Sequence, residues 1–358
     1  MPINPDASFW QSKRVLITGH TGFKGAWLAW WLHRLGAQVI GVALEPLTQP
    51  SLFNALNLRE RIQHHLCDVR DLDSLSLLVR NAQPDIVFHM AAQALVRASY
   101  ANPVETFATN VMGTANILDA LRGASDCKAV VMVTTDKVYH NNEWAWPYRE
   151  QDQLGGHDPY SASKAASEIV IDSYRSSFLK SQGLAVASAR AGNVIGGGDW
   201  SQDRLIPDAV RAWSKNGTLE VRSPHSTRPW QHVLEPLCAY LRLAEQLAIR
   251  PELADAYNFG PLATDAADVR TVAQAALKEF GCGELQFAQQ APSLHEAQLL
   301  TLDVSKAKTV LGVLPRLSLQ KTIAMTMSWY RDYFASMQAE QLCERDLLQF
   351  ETADRETL

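Results

Sequence analysis

Arg14–Gly25 reads RVLITGHTGFKG: an apolar run, Arg14–Thr18, that ends at a glycine and opens into glycines at G-x-x-G-x-x-G spacing. A helical run follows from Lys24. Such glycines allow a tight turn and close approach of the backbone to a pyrophosphate, whose charge meets the N-terminus of the helix. Glycines also punctuate ordinary strand–helix turns. Here strand, helix and N-terminal position agree, so Gly19, His20, Thr21, Gly22, Phe23, Lys24 and Gly25 are assigned to a dinucleotide.

The alternation continues outward from this turn. Gln38–Leu44 and, more weakly, Ile62–Cys67 read as strands, Leu72–Ala82 as a helix, and Asp85–Met90 (DIVFHM) as a fourth strand. A long helix over roughly Val104–Leu121, a strand Lys128–Thr134, a helix Tyr160–Ser181 and a strand Ala185–Ala189 complete the first half. Near-continuous Val and Ile in strands separated by helices predict a parallel sheet covered on both faces. The expectation is an α/β chain: a Rossmann-type doubly wound parallel sheet over 1–190, and a smaller, interleaved substrate-binding lobe over 191–358. Some segments of the second lobe are expected to return to the first. Leu205–Lys215, Leu234–Ala248 and Leu317–Ala335 read as its helices, and the tail beyond Met337 as a charged helix without assigned function.

Composition narrows the classes. The 358 residues are 47% hydrophobic and 20% charged, with a net charge of −5, which recruits neither nucleic acid nor an anionic membrane. The five cysteines are scattered and never spaced C-x-x-C, so neither a disulfide framework nor a metal site is expected. Met1–Arg14 has no apolar signal core. Ala26–Leu35 is too short to span a bilayer and reads as a buried amphipathic helix. A cytoplasmic location is expected.

Ligands of a doubly wound sheet sit beyond the carboxyl ends of its strands. Glu45, after the second strand, can accept from a ribose 2′-hydroxyl and repels a 2′-phosphate. No Arg appears before Arg59, so NAD is favoured over NADP. Asp68 and Val69, after the third strand, suit an adenine amino group and ring. After the fourth, His89 reads as a satisfied core histidine, and small Ala91 and Ala92, with Gln93, form a wall that a flat ring can approach. Tyr160 and Lys164 stand i, i+4 on a helix and share a face. A phenol ordinarily titrates near about 10. An adjacent ammonium and a positive nicotinamide ring draw it into range as a base for an alcohol proton. Thr135, after the fifth strand, can share that proton, and Asp136 and Lys137 are acid and base candidates beside it.

The T-G-x-T-G-F-x-G turn, the H-x-A-A-Q segment at His89, T-D-x-V-Y at Thr135 and Y-x-x-x-K at Tyr160, in this order, resemble the extended short-chain dehydrogenase/reductase family acting on nucleotide-activated sugars. The resemblance runs over nearly the whole chain. Within it, Gly19–Gly25, Thr135–Tyr139, Arg190–Trp200 (RAGNVIGGGDW), Arg228–Leu237 (RPWQHVLEPL) and Leu302–Gly312 resemble the branch that dehydrates CDP-glucose. That resemblance implies transient oxidation at C4 by NAD, loss of water across C5 and C6, and return of the hydride, in deoxysugar biosynthesis. It implies Asp136 as the acid at the leaving C6 oxygen. Lys137 stands where many related dehydratases carry a glutamate base, so it must be locally deprotonated or another group removes the C5 proton.

For the substrate, the sequence offers Arg190, Arg204, Arg222 and Arg228 in or beside polar segments as diphosphate partners, Arg204 and Arg228 foremost. Asn193 matches the family position at the first phosphate. Arg97 and Ser99, with Gln93, are placed to orient the hexose, and Asn110 to serve an active-site water network. Trp200 and Trp230 could cover a ring, although buried core tryptophans are commoner. Relatives imply a homo-oligomer, dimer or tetramer, paired through the helices at 104–121 and 160–181. Another nucleotide-sugar 4,6-dehydratase, or a 4-epimerase using the same Tyr–Lys machinery, remains open as the alternative.

Overall fold

Backbone pairing in the computed structural model, which describes residues 4–262, 265–288 and 299–353, builds the central sheet from strands β1 (Arg14–Thr18), β2 (Gln38–Ala43), β3 (Gln63–Leu66), β4 (Ile86–His89), β5 (Ala129–Val133) and β6 (Ala185–Ala191). A seventh strand, Ala256–Phe259, comes from the second half of the chain and pairs with β6. The order is Ala256–Phe259, β6, β5, β4, β1, β2, β3, all pairs parallel. β1, β4, β5 and the seventh strand are buried on both faces, apart from Arg14, which explains their unalternating apolar sequence.

The sheet grows in one direction from β1 to β2 and β3, and in the other from β4 onward. The switch therefore lies between β1 and β4, which run in register with Thr18 opposite His89. A crevice opens at such a point beyond the strand ends. The glycine turn leaves β1 on one side of it and Met90–Gln93 leaves β4 on the other.

One face of the sheet is covered by the helices Leu72–Ala82, Gly113–Ala120 and Pro159–Tyr174. The other is covered by Phe23–Arg34 and Leu234–Ile249, with the C-terminal helices Leu319–Phe334 and Ala339–Glu351 as an outer layer of the same core. Phe23–Arg34 is not amphipathic: Gly25 through Leu32 are all buried. Trp27 Nε1 donates to the Gly197 carbonyl and Trp31 packs edge-on against Phe350, so the second half of the chain covers the side expected to face water. The tail thus has a packing role that its charged sequence did not reveal. The predicted helix at 104–121 divides into Pro103–Phe107, a wide π turn Ala108–Met112 and Gly113–Ala120.

Candidate active site

A cavity of about 1590 Å³ runs along the carboxyl edge of the sheet. At its floor the glycines are required by space. Gly19 has φ +80°, and a Cβ there would lie 2.7 Å from the Ala91 nitrogen; one on Gly25 would lie 2.2 Å from the Gly19 carbonyl oxygen. Both obstacles are backbone, which cannot rotate away. Gly25→Ala is therefore expected to lower stability by about 1–3 kcal/mol and weaken dinucleotide binding about tenfold or more. Thermal unfolding and calorimetric titration check this; full affinity in the variant would show that the turn does not form the site.

Gly19, Thr21, Gly22, Phe23, Lys24 and Gly25 line the cavity. Thr21 Oγ1 donates to the Leu44 carbonyl, tying the turn to the end of β2. Lys24 is half-buried, its Nζ 2.9 Å from the Tyr240 hydroxyl. Burial pushes its amine down to about 7, and the charges of Arg204 and Lys164 add to the effect. His20 is a correction. Its side chain points away from the cavity into a space left by Gly41, with Nε2 2.7 Å from His64 Nδ1 and its ring edge-on to Phe53. Burial holds it neutral, with its pKa pushed down to about 3.

Glu45, Asp68, Val69, Ala91, Ala92 and Gln93 all reach the cavity wall. Glu45 is not the free carboxylate the sequence suggested, because Arg59 folds back onto it at 2.8 Å. That guanidinium offsets the charge expected to repel a 2′-phosphate. Asp68 is likewise held by Arg70 at 2.6 Å, whose hydrogen bonds keep it below the usual carboxylate range. His89 is a core residue, with Nδ1 2.8 Å from the Thr18 hydroxyl.

Tyr160 and Lys164 project from the helix Pro159–Tyr174, which Asp158 caps by accepting from the Ser161 amide. Both are buried and line the cavity. The sequence anticipated a phenol drawn down by its neighbours. In the protein alone burial dominates and pushes Tyr160 up to about 12, while a hydrogen bond with Thr135 and the charge of Arg204 pull the other way. Lys164 Nζ donates to the Val133 carbonyl at 3.1 Å, and burial pushes it down to about 8.

Thr135 and Lys137 line the cavity, but Asp136 between them does not. Asp136 is wholly buried. Its Oδ1 accepts from Thr135 Oγ1 at 2.9 Å and from Lys137 Nζ at 3.2 Å, while Oδ2 lies beneath Gly192 without a hydrogen-bond partner. The expected direct contact of Asp136 with a leaving oxygen is corrected accordingly: it reaches the cavity through its two neighbours. Lys137 Nζ also lies 3.4 Å from Asn193 Oδ1, which joins the two halves of the chain at this point.

Arg97, Asn193, Arg204, Arg222 and Arg228 line the outer cavity. Arg204 pairs with Asp199 at 3.1 Å, and Arg222 with Asp203 at 2.8 Å. Asp203 also faces Arg97 across the opening at 3.7 Å. Ser99 and Asn110 are corrections, because neither lines the cavity and both are buried. Ser99 Oγ accepts from the Tyr160 amide. Asn110 accepts from the Gln93 amide and donates to the Gln93 carbonyl and to Ser163 Oγ. They fix the helix Pro159–Tyr174 and the segment at Gln93 from behind. Arg190 lies in β6 and donates twice to Glu168. Trp200 is at the cavity edge but packs into Tyr330, Tyr333 and Phe334, and Trp230 Nε1 donates to the Ala267 carbonyl. Glu168 and Tyr240 escaped the sequence reading; for Glu168 a signal existed, since it stands i+4 from Lys164.

Comparison with known proteins gives a consistent result. The chain is 45% identical over 332 residues to the CDP-glucose 4,6-dehydratase of Salmonella typhimurium, covering 91% of this chain and 92% of that one. The structure of dTDP-glucose 4,6-dehydratase from Streptomyces venezuelae with NAD and TYD bound superposes with TM-score 0.76 at 26% identity, covering 92% and 99%. UDP-glucose 4-epimerase of Thermus thermophilus in complex with NAD gives 0.74 at 26% identity, covering 88% and 98%. Residues 16–326, from β1 into the helix Leu319–Phe334, match the GDP-mannose 4,6 dehydratase family. The glycine turn, the Tyr160–Lys164 pair and the Asp136–Lys137 pair all lie within that span, and the chain belongs to this family.

Proposed function

We propose that the protein is a hydro-lyase that converts CDP-glucose into CDP-4-keto-6-deoxyglucose and water with NAD. The observation that carries this reading is the 45% identity to a CDP-glucose 4,6-dehydratase over nearly the full length of both chains. The cavity fits the cofactor: its glycine turn admits a pyrophosphate against backbone, and Ala91 and Ala92 leave room for a ring.

Held by the glycine turn and against Ala91 and Ala92, NAD would supply the acceptor for the C4 hydride and the donor that delivers it to C6. Tyr160 receives the 4-hydroxyl proton, with Thr135 hydrogen-bonded to the same oxygens. Lys164, held by the Val133 carbonyl, keeps its remaining donors for ribose and lends positive charge beside the phenol. The 4-ketone acidifies C5. Loss of water then removes a proton from C5, breaks the C6–O bond and puts a proton on the departing oxygen. Lys137 faces the sugar at this step, and Asp136 exchanges a proton with it at 3.2 Å. One proton enters this pair as another leaves, so its net charge is unchanged. Finally, as the hydride reaches C6, C5 takes up a proton equivalent to the one Tyr160 received from O4, which returns Tyr160 to its starting state. Protons taken from O4 and C5 equal those given to O6 and C5, and the residues end as they began.

Arg204, Arg222 and Arg228, with Asn193, are proposed to hold the diphosphate, and Arg97 and Gln93 the hexose. Asp199 pairs with Arg204 and Asp203 with Arg222. A homo-oligomer is proposed, paired through the helices around 104–121 and 160–181, which expose Val104, Met112 and Ile169. A cytoplasmic site of action is proposed, supported by five cysteines that carry no disulfide; among the described residues no helix is long and apolar enough to cross a membrane.

Incubation with CDP-, dTDP-, UDP- and GDP-glucose tests the assignment. The CDP sugar is expected to turn over fastest, to a product lighter by one water. A product of unchanged mass, epimeric at C4, would establish the epimerase alternative.

A further inference from the structure

Glu168 lies one helical turn beyond Lys164 and is 4% exposed at its side chain. Its carboxylate accepts from Thr134 Oγ1 (2.5 Å), Ser188 Oγ (2.7 Å), and Arg190 Nε and Nη2 (both 3.0 Å). These donors come from the end of β5 and from β6, so the carboxylate fastens the catalytic helix to two strands. Arg190 is fixed in turn, donating to the Tyr139 hydroxyl at 2.8 Å, while Tyr139 donates to Asn258 on the seventh strand at 2.7 Å.

A buried guanidinium needs a counter-ion, and that alone would account for Glu168. Its position accounts for more. Thr134, which bonds Glu168, is adjacent in the chain to Val133, whose carbonyl holds Lys164 Nζ. The charges around Lys164 are unevenly arranged. Lys24 from the glycine-turn helix and His89 from β4 both feel the Lys164 charge, and neither favours a further cation. Tyr160 is on the same helix, Asp136 follows β5 and Arg190 projects from β6. Burial pushes the Lys164 amine down, and Glu168 is the charge that opposes it. Burial also pushes Glu168 up, but the charge of Arg190 and the hydrogen bonds from Arg190, Thr134 and Ser188 outweigh it and keep the carboxylate ionised.

We propose that Glu168 is a positioning residue for the reaction: its buried carboxylate keeps Lys164 an ammonium and sets the seating of the catalytic helix, while Arg190 keeps Glu168 charged. The proposal rests on the Tyr160–Lys164 chemistry above. Lys164 is charged below its pKa, so lowering that pKa makes loss of the active form begin at lower pH.

The test replaces Glu168→Gln and reads two quantities. The first is the pH midpoint of Lys164 acylation by a small anhydride in the protein without substrate, measured by peptide mass spectrometry. The second is the pH profile of kcat. The midpoint is expected to fall by about one pH unit or more, and the alkaline decline of kcat to move down with it. Glu168→Asp, which keeps the charge, is expected to restore most of the midpoint. Should Glu168→Gln fail to fold, the double variant Glu168→Gln with Arg190→Met removes both buried charges, and its midpoint must also fall. An unmoved midpoint with activity lowered equally at every pH would reduce Glu168 to a structural residue and overturn the proposal. A lowered midpoint with an unmoved kcat profile would sink the Tyr160–Lys164 reading, and this proposal with it.

Discussion

Tyr160→Phe is expected to lower kcat by about a thousandfold or more while leaving NAD affinity within about twofold. The ring is buried, so phenylalanine preserves the packing and removes only the hydroxyl. The helix keeps its seat, because Ser99 grips the Tyr160 backbone amide rather than its side chain. No neighbour can replace the lost group. Thr135 is an aliphatic alcohol and a far weaker acid than a phenol, and Lys164 is engaged with the Val133 carbonyl. Burial outweighs Thr135 and Arg204 and holds Tyr160 at about 12, so a working base needs further positive charge. Lys164 and bound NAD would supply that charge on the proposed reading, and neither helps a phenylalanine. Steady-state kinetics with calorimetric titration of NAD checks both halves. Turnover near the wild-type rate would falsify the role of Tyr160.

Asp136→Asn is expected to separate oxidation from dehydration. C4 oxidation persists, because the Tyr160–Lys164 pair is untouched. Dehydration slows by about two to four orders of magnitude, and reduced-nicotinamide absorbance accumulates with a 4-ketone that still carries its C6 hydroxyl. The reason is geometric. Asp136 is the partner of Lys137 at 3.2 Å and of Thr135 at 2.9 Å, and an amide neither exchanges a proton nor balances an ammonium. The variant also leaves a buried amide where one carboxylate oxygen already lacks a partner. Rapid-quench mass spectrometry with absorbance measures the two steps separately. Full-rate dehydration by the variant would remove Asp136 from the reaction.

Much of this was legible in the sequence. β1 and the helix Leu72–Ala82 begin and end where their apolar patterns do. The strand-end rule picks out the glycine turn, Ala91–Gln93 and Thr135–Lys137 from the sequence alone, because a parallel sheet sends its loops to one edge. What sequence could not give was the direction of side chains set by distant partners. Ser99, Asn110 and His20 sit at the right places along the chain, yet each faces inward, because the rotation of their segments is fixed by packing against other elements. Arg59 reaches Glu45 from fourteen positions away along the chain, and Arg190 finds Glu168 only because β6 lies beside the catalytic helix. The seventh strand was illegible for the same reason: Ala256–Phe259 is short, and only its pairing with β6 identifies it.

The central claim is that one hydride leaves C4 and returns to C6 of the same sugar. CDP-glucose deuterated at C4 tests it directly, with NMR and mass spectrometry locating the label in the product. The account predicts deuterium in the C6 methyl group of CDP-4-keto-6-deoxyglucose, one atom per molecule. Deuterium found at C4 of an epimer, or lost to solvent while water is eliminated, would contradict it.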